Sequence, residues 1–257
     1  MIVRKNRDSA GLGHTDTLFH LEPNRSKKPI LDYKETLPTK HNFFYNKTEY
    51  SLSVQTEYTM FVPSSIEVFF ITGSAGGGGG SGCFLTDEMI NSGSGGSSGE
   101  SISKTLVNVH EGDKITITVG RGGKGRGCGA NGENGFDTAV RKNDILILTM
   151  KGGRGGLCAT ATSMALGGSN DSSIITIFSG DNGENGDFAV GSLPNPSGGK
   201  GGKSFYGQSG NGATSFSNNG CGYPGTFGSG GGGAAPYGSC GSSFGGRGGH
   251  GFVSIEW

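Results

Sequence analysis

Two stretches of the chain place phosphate-type recognition residues at suggestive spacings. GRGGKG at 120–125 satisfies a G-x-G-x-x-G dinucleotide-binding turn directly after a strand-like run, and SGGKGGKS at 197–204 comes within one glycine of a phosphate-cradling loop. The flanks do not supply the rest of the chemistry: no helix or ribose-binding acid follows the first, and PNP ahead of the second does not form a strand. With 54 glycines in 257 residues such spacings arise by chance, so no nucleotide cofactor is expected.

Other reactive residue types are equally dispersed. His14, His20, His41, His110 and His250 do not cluster, no serine sits in a G-x-S-x-G elbow, and Glu133 and Asp137 fall in glycine turns, so no catalytic residues are assigned and no enzyme is expected. Asp181, Glu184 and Asp187 share a loop but complete no calcium pattern, and no metal site is expected. Cys83, Cys128, Cys158, Cys221 and Cys240 contain no C-x-x-C pair and are read as free thiols acting as small apolar fillers. The basic pieces GRGGKGRG, KGGRGG and GGRGGHG have the look of RNA-binding boxes. Strand-like runs interrupt them, and the formal net charge is +0, so Lys and Arg are read as solvating the glycine segments, with no nucleic-acid partner. The start, MIVRKNRDSAGLGH, does not read as a signal peptide, no stretch is apolar enough to span a bilayer as a helix, and synthesis in the cytoplasm without membrane insertion is expected.

What remains is binding by surface side chains. Aromatic and apolar residues in the glycine-rich loops supply anchoring area that glycine cannot, which makes Phe84, Leu85, Met89, Phe205, Tyr206, Phe216, Tyr223, Phe227 and Tyr237 the binding candidates. Each has an alternative role as an internal cap.

The elements that must hold these residues are β-strands. Leu52, Val54, Tyr58, Met60 and Val62 alternate with polar residues, Pro63 and two serines make a turn, and IEVFFIT at 66–72, ISKTLVNV at 102–109, KITITV at 114–119, DILILTM at 144–150, IITIF at 174–178 and FVSIEW at 252–257 are β-branched or aromatic. Val68, Phe70, Ile115, Ile117, Leu146, Leu148, Val253 and Ile255 are the expected buried positions. No segment has capped helical periodicity. Residues 1–50 read as an extended amino-terminal arm for attachment, whose Phe43, Phe44 and Tyr45 anchor either on a partner or on the chain's own domain; residues 51–257 read as a glycine-rich β-sandwich domain.

Hydrophobic residues make up 32 % of the chain, so something besides side-chain burial must hold the glycine segments. Their spacing supplies it. Gly73, Gly76, Gly79 and Gly82 recur every third residue, as do Gly129, Gly132 and Gly135, then Gly180, Gly183 and Gly186, and Gly245, Gly248 and Gly251. Three residues per turn is the period of an extended helix without internal hydrogen bonds, whose N–H and C=O groups must pair with neighbouring segments. Only glycine lets backbones approach that closely. The expectation is a jelly-roll-like β-sandwich with insertions packed as a polyglycine-II bundle, and the echo of NGENGFDTAV (131–140) in NGENGDFAV (182–190) marks a repeated unit of it.

The run from VPSS into polyglycine (62–82), then VHEGDKITITVGRGG from Val109, then the closing GGRGGHGFVSIEW at 245–257, resembles the glycine-rich domain of bacteriophage tail-fibre and tail-tip receptor-binding proteins. The resemblance covers roughly 55–257 and implies a virion adhesin: loops of the glycine domain bind a host-cell receptor, either a glycan or an outer-membrane protein, and the arm docks on other tail proteins. A homotrimer follows by analogy with fibres. The alternative is a structural or decoration protein of the virion without a receptor. The serine-, alanine- and threonine-rich stretches 92–103 and 157–173 depart from the most glycine-saturated pattern.

Overall fold

The computed structural model describes residues 55–85, 89–158, 178–190, 195–215, 218–236 and 243–257, together with 3–7, 13–17, 30–31 and 41–45 nearer the amino terminus. Leu52, Val54, most of the 174–178 run, Phe216 and Tyr237 lie outside them.

The described residues are all-β, with one 3-10 turn at Asn218–Gly220 and no α-helix. The strands are β1 (Val3–Arg7), β2 (Gly13–Thr17), β3 (Ile30–Leu31), β4 (His41–Tyr45), β5 (Thr56–Phe61), β6 (Val68–Ser74), β7 (Phe84–Leu85), β8 (Met89–Asn91), β9 (Ser101–Asn108), β10 (Lys114–Val119), β11 (Thr138–Lys142), β12 (Ile145–Met150), β13 (Phe188–Val190) and β14 (Phe252–Glu256). Two main sheets have the orders β12-β11-β10-β5-β3 and β4-β14-β6-β9; β13-β8-β7 and β1-β2 form smaller ones. One cluster, including Phe44, Tyr58, Met60, Phe69, Ile71, Ile102, Ile117, Val140, Met150 and Val253, is buried by residues of both main sheets, giving a sandwich-like arrangement.

Alternation decides which side chains enter that core. In β10, Ile115, Ile117 and Val119 point inward while Thr116 lies on the opposite face with Lys114 and Thr118. The β11–β12 hairpin turns through Asn143 and Asp144, both at positive φ (50° and 66°), the geometry whose twist matches paired strands. Three expected core positions are corrected. In β6 it is Phe69 and Ile71 that are buried, while Val68 is only half-buried and Phe70 is 39 % exposed: adjacent phenylalanines leave the phase of the strand undefined by hydrophobicity alone. In β12, Leu148 and Met150 enter the core but Leu146 is 52 % exposed, because a register shift between Val140 and Arg141 separates the hairpin end from the inner part of the ladder.

Phe43 and Phe44 of the arm sit on the chain's own domain. β4 pairs antiparallel with β14, Phe44 is in the core against Tyr58, and Phe43 stacks on Phe252 at 5.3 Å.

Between the strands, the glycine segments hydrogen-bond to one another with a period of three. Along residues 76–82, Gly76, Gly79 and Gly82 donate to the carbonyls of Phe136, Glu133 and Ala130; Gly77 and Gly80 to Gly249 and Gly246; Gly78 and Ser81 to Ser97 and Ser94. Each series descends by three, so these neighbours run antiparallel. The carbonyls of the same segment accept from Gly123 and Arg126, from Gly153 and Gly156, and from Gly231 and Ala234, all ascending by three and therefore parallel. Three segments accept from 76–82 and three donate to it, which satisfies both polar groups of a buried backbone without a conventional strand ladder. A Cβ on nearly any of these glycines would strike a neighbouring carbonyl; the expected triplet members Gly73, Gly76, Gly79, Gly82, Gly132, Gly135, Gly183, Gly186, Gly245, Gly248 and Gly251 all meet backbone this way. Gly129 differs: its φ is +69° with nothing within 4 Å, so it serves a turn. Gly180 is half-buried.

The serine-rich segment is a full participant. Residues 91–100 are all buried, Ser94 and Ser97 hydroxyls donate to the carbonyls of Leu157 (2.8 Å) and Arg154 (3.4 Å), and glycine is retained where the backbones touch. The NGENG echo is also one structural unit used twice. Gly79 and Gly76 donate to Glu133 and Phe136 in the first copy, as Gly95 and Ser92 donate to Glu184 and Asp187 in the second; Glu133 donates to Lys124 as Glu184 donates to Lys200.

Candidate functional site

That repetition settles what the two phosphate-loop lookalikes are doing. GRGGKG with the Arg126 that follows it and SGGKGGKS occupy equivalent places: Gly123 and Arg126 donate to Gly77 and Gly80, and Gly199 and Gly202 donate to Gly93 and Gly96. Gly198 and Gly201 donate to Ala213 and Gly210. N–H groups committed to carbonyls inside the protein cannot also cradle a phosphate.

The basic glycine pieces are likewise committed. Arg121 is only 7 % exposed; its guanidinium lies 4.8 Å from the centre of the Phe136 ring and 3.4 Å from Glu133. Arg126 pairs with the other oxygen of the same carboxylate. Burial would raise the Glu133 pKa, but the Lys124 N–H and the two guanidiniums outweigh it and hold the carboxyl below its usual range. His250 accepts the Gly122 N–H at Nδ1 (3.1 Å), and burial, then Arg121 and Arg247, push its imidazole below the ordinary histidine pKa. The group joins separate glycine segments through side chains.

The cysteine expectation is corrected at one position. Cys83 is disulfide-bonded and fully buried, beside Ala234, whereas Cys128, Cys158 and Cys221 are free. The scattered spacing gives no sign of this; Cys240 lies outside the described residues. Burial raises the Cys158 thiol pKa, with Cys128 nearby adding to it, which disfavours a reactive thiolate.

The binding candidates separate into distinct groups. Phe84, Leu85 and Met89 lie on β7 and β8 of the three-stranded sheet. Tyr223 is exposed, and its backbone is held in the bundle through Asn211 and Gly232. Phe205, Tyr206 and Phe227 are brought together. Phe205 is 60 % exposed and stacks on Phe178 at 4.6 Å; its ring meets Tyr206 edge-on at 4.9 Å. Tyr206 and Phe227 both stand edge-on to Phe252, at 5.2 and 5.8 Å, and Phe43 stacks on that ring. The result is a chain of aromatic contacts in which Phe43, Phe178, Phe205 and Phe227 are exposed and Phe252 is buried at the centre.

Local structure explains why those rings are presented. The Tyr206 hydroxyl donates to the Ile102 carbonyl (2.8 Å), pinning the 204–207 loop to β9, and Ser204 Oγ donates to the Phe227 carbonyl (2.6 Å). Phe227 sits at φ 41°, ahead of Gly228 at φ 80°, a turn that costs a non-glycine residue conformational energy and is held by its surroundings. Phe178 reaches the patch through two backbone hydrogen bonds with Ser101. Tyr206 is thus an internal anchor, while Phe205 and Phe227 are displayed. Phe178 and Phe43 join the patch without having been among the loop candidates; both belong to strand-like or arm sequence, and nothing in their spacing points to the contact.

An exposed ring cluster of this kind marks an interaction surface and offers rigid apolar area, with only Tyr206 adding a polar group. Among the described residues no group of three His, Cys, Asp or Glu side chains is close enough to hold a metal, and the Asp187 carboxylate is taken by the Ser197 N–H and hydroxyl, both at 2.7 Å.

No curated protein matches the chain. A model of the glycine-rich domain family matches residues 53–257, from just ahead of β5 to the final residue. Covering every strand of the two main sheets except β3 and β4, and every described glycine-rich segment, this match places the chain in the glycine-rich domain family.

Proposed function

We propose that the chain is a non-enzymatic bacteriophage tail-fibre or tail-tip protein that binds a receptor on the host-cell surface through its glycine-rich domain. The observation that carries this is the aromatic patch of Phe43, Phe178, Phe205 and Phe227, exposed on a scaffold whose backbone hydrogen bonds are internally satisfied. Rigid aromatic groups bind at small entropic cost.

The finer reading is that the segments with three-residue registers are polyglycine-II helices packed side by side, consistent with the direction and spacing of their hydrogen bonds. The chain acts as a homotrimer, and residues 1–50 dock it on other tail proteins; both features rest on analogy with fibre proteins.

The test is saturable binding of the purified chain to intact cells of a strain infected by the phage that encodes it, scored with its ability to block adsorption. Binding with competition supports an adhesin. A folded protein that neither binds nor competes has the structural or decoration role instead.

A further inference from the structure

The outer face of the five-stranded sheet forms an open groove of about 590 Å³, within the range of small-ligand sites. It is lined by the outward residues of β5, β10, β11 and β12 and lacks the aromatic rings of the patch. Charged pairs stand at both ends. Lys151 bonds Asp137 at 2.8 Å and Lys114 bonds Asp144 at 2.9 Å, so these four groups largely neutralise one another.

The middle of the groove is different. Arg141 and Thr116 are directly opposite each other on neighbouring strands. Among the described residues the Arg141 guanidinium has neither a hydrogen-bonding nor an ion-pair partner, although it is half-buried. Thr116 is only 6 % exposed, and its hydroxyl has no partner. An orphaned hydroxyl on a groove floor costs stability that a valine in the same place would not, and a half-buried guanidinium without an anion leaves planar donors unused.

From this pairing we infer that the groove is a saccharide site whose ligand carries a carboxylate. Arg141 takes the carboxylate, Thr116 and Thr118 bond sugar hydroxyls, and the Glu57 side chain, also on the lining, accepts from further hydroxyls while opposing a second acidic group. With Arg141 and Glu57 of opposite charge on the lining, one carboxylate of the ligand finds its cation at Arg141 and a second is opposed by Glu57. This deepens the receptor-binding reading by assigning a ligand class, at a surface separate from the aromatic patch.

The experiment is isothermal titration of the full chain with matched pairs: trigalacturonate against its methyl ester, and sialyl-lactose against lactose. At least one acidic member should bind saturably and about tenfold or more tighter than its neutral counterpart; Arg141→Gln should remove that preference, and Thr116→Val should weaken binding several-fold without lowering thermal stability. If no acidic member outbinds its neutral counterpart, if Arg141→Gln leaves the preference intact, or if Thr116→Val leaves the affinity unchanged, the inference is wrong. These titrations do not depend on adsorption, so failure of the saccharide site leaves the patch reading standing, and loss of the adhesin reading leaves the isotherms intact.

Discussion

Gly80→Ala probes the close packing of the glycine segments. A Cβ built on Gly80 would stand 2.0 Å from the Gly232 carbonyl oxygen and 2.5 Å from its carbon, both backbone atoms. Reaching ordinary contact at 3.4 Å requires the two segments to separate by about 1.4 Å. That separation cannot be local: Gly80 donates to Gly246 at 2.8 Å, Arg126 donates to Gly80 at 3.2 Å, and the adjoining segment is held by Gly231 to Gly78 and Ala234 to Ser81, at 2.9 and 3.0 Å. Each buried backbone group left unpaired costs about 1–3 kcal/mol, so loss of two or three bonds removes roughly 3–6 kcal/mol, comparable with the whole stability of many domains. Gly112→Ala is the control, since nothing lies within 4 Å and only its φ of +81° opposes a side chain, at about 1–2 kcal/mol. Guanidinium denaturation of the two variants and the parent measures the difference. A Gly80→Ala protein within about 1 kcal/mol of the parent would refute the close-contact argument.

Three further outcomes follow from the packing and the charges. Phe69→Ala should cost about 3–5 kcal/mol and Phe70→Ala much less, because only Phe69 is in the core; equal midpoint shifts would mean the β6 phase is misassigned. Because the His250 pKa is depressed in the folded state, the unfolded chain takes up its proton first, and stability should fall as pH drops below about 6.5 towards the folded pKa; His250→Gln should flatten that limb in thermal melts. Glu133 acts in the same direction at lower pH: its depressed pKa contributes stability above the ordinary carboxylate range that is lost on acidification, so Glu133→Gln should reduce the melting temperature at neutral pH and narrow the difference in acid.

The parts of the molecule legible in the sequence are those written in short-range patterns. Alternation in KITITV fixes which side of β10 faces the core, and glycine every third residue anticipates the register in which Gly76, Gly79 and Gly82 donate to successive carbonyls. The NGENG echo reports a real structural repetition for the same reason. The phase of β6 was not legible, since two adjacent phenylalanines satisfy either face. Long-range placements were also hidden: the Cys83 disulfide, the Phe178–Phe205 stack and the Arg141–Thr116 juxtaposition each depend on which segments meet, which local composition does not encode. Of the loop candidates, Phe205, Tyr206 and Phe227 converge, while Phe84, Leu85 and Met89 take a separate sheet.

The proposed receptor function depends most directly on the displayed rings. The decisive measurement compares cell-binding isotherms of the parent chain and a Phe205→Ser/Phe227→Ser variant on a susceptible strain, with matched circular dichroism and oligomeric state. The adhesin account predicts saturable binding by the parent and about tenfold or greater weakening in the variant, as expected when exposed aromatic anchors are removed. Equal binding by the two proteins, or no binding by either, would contradict it.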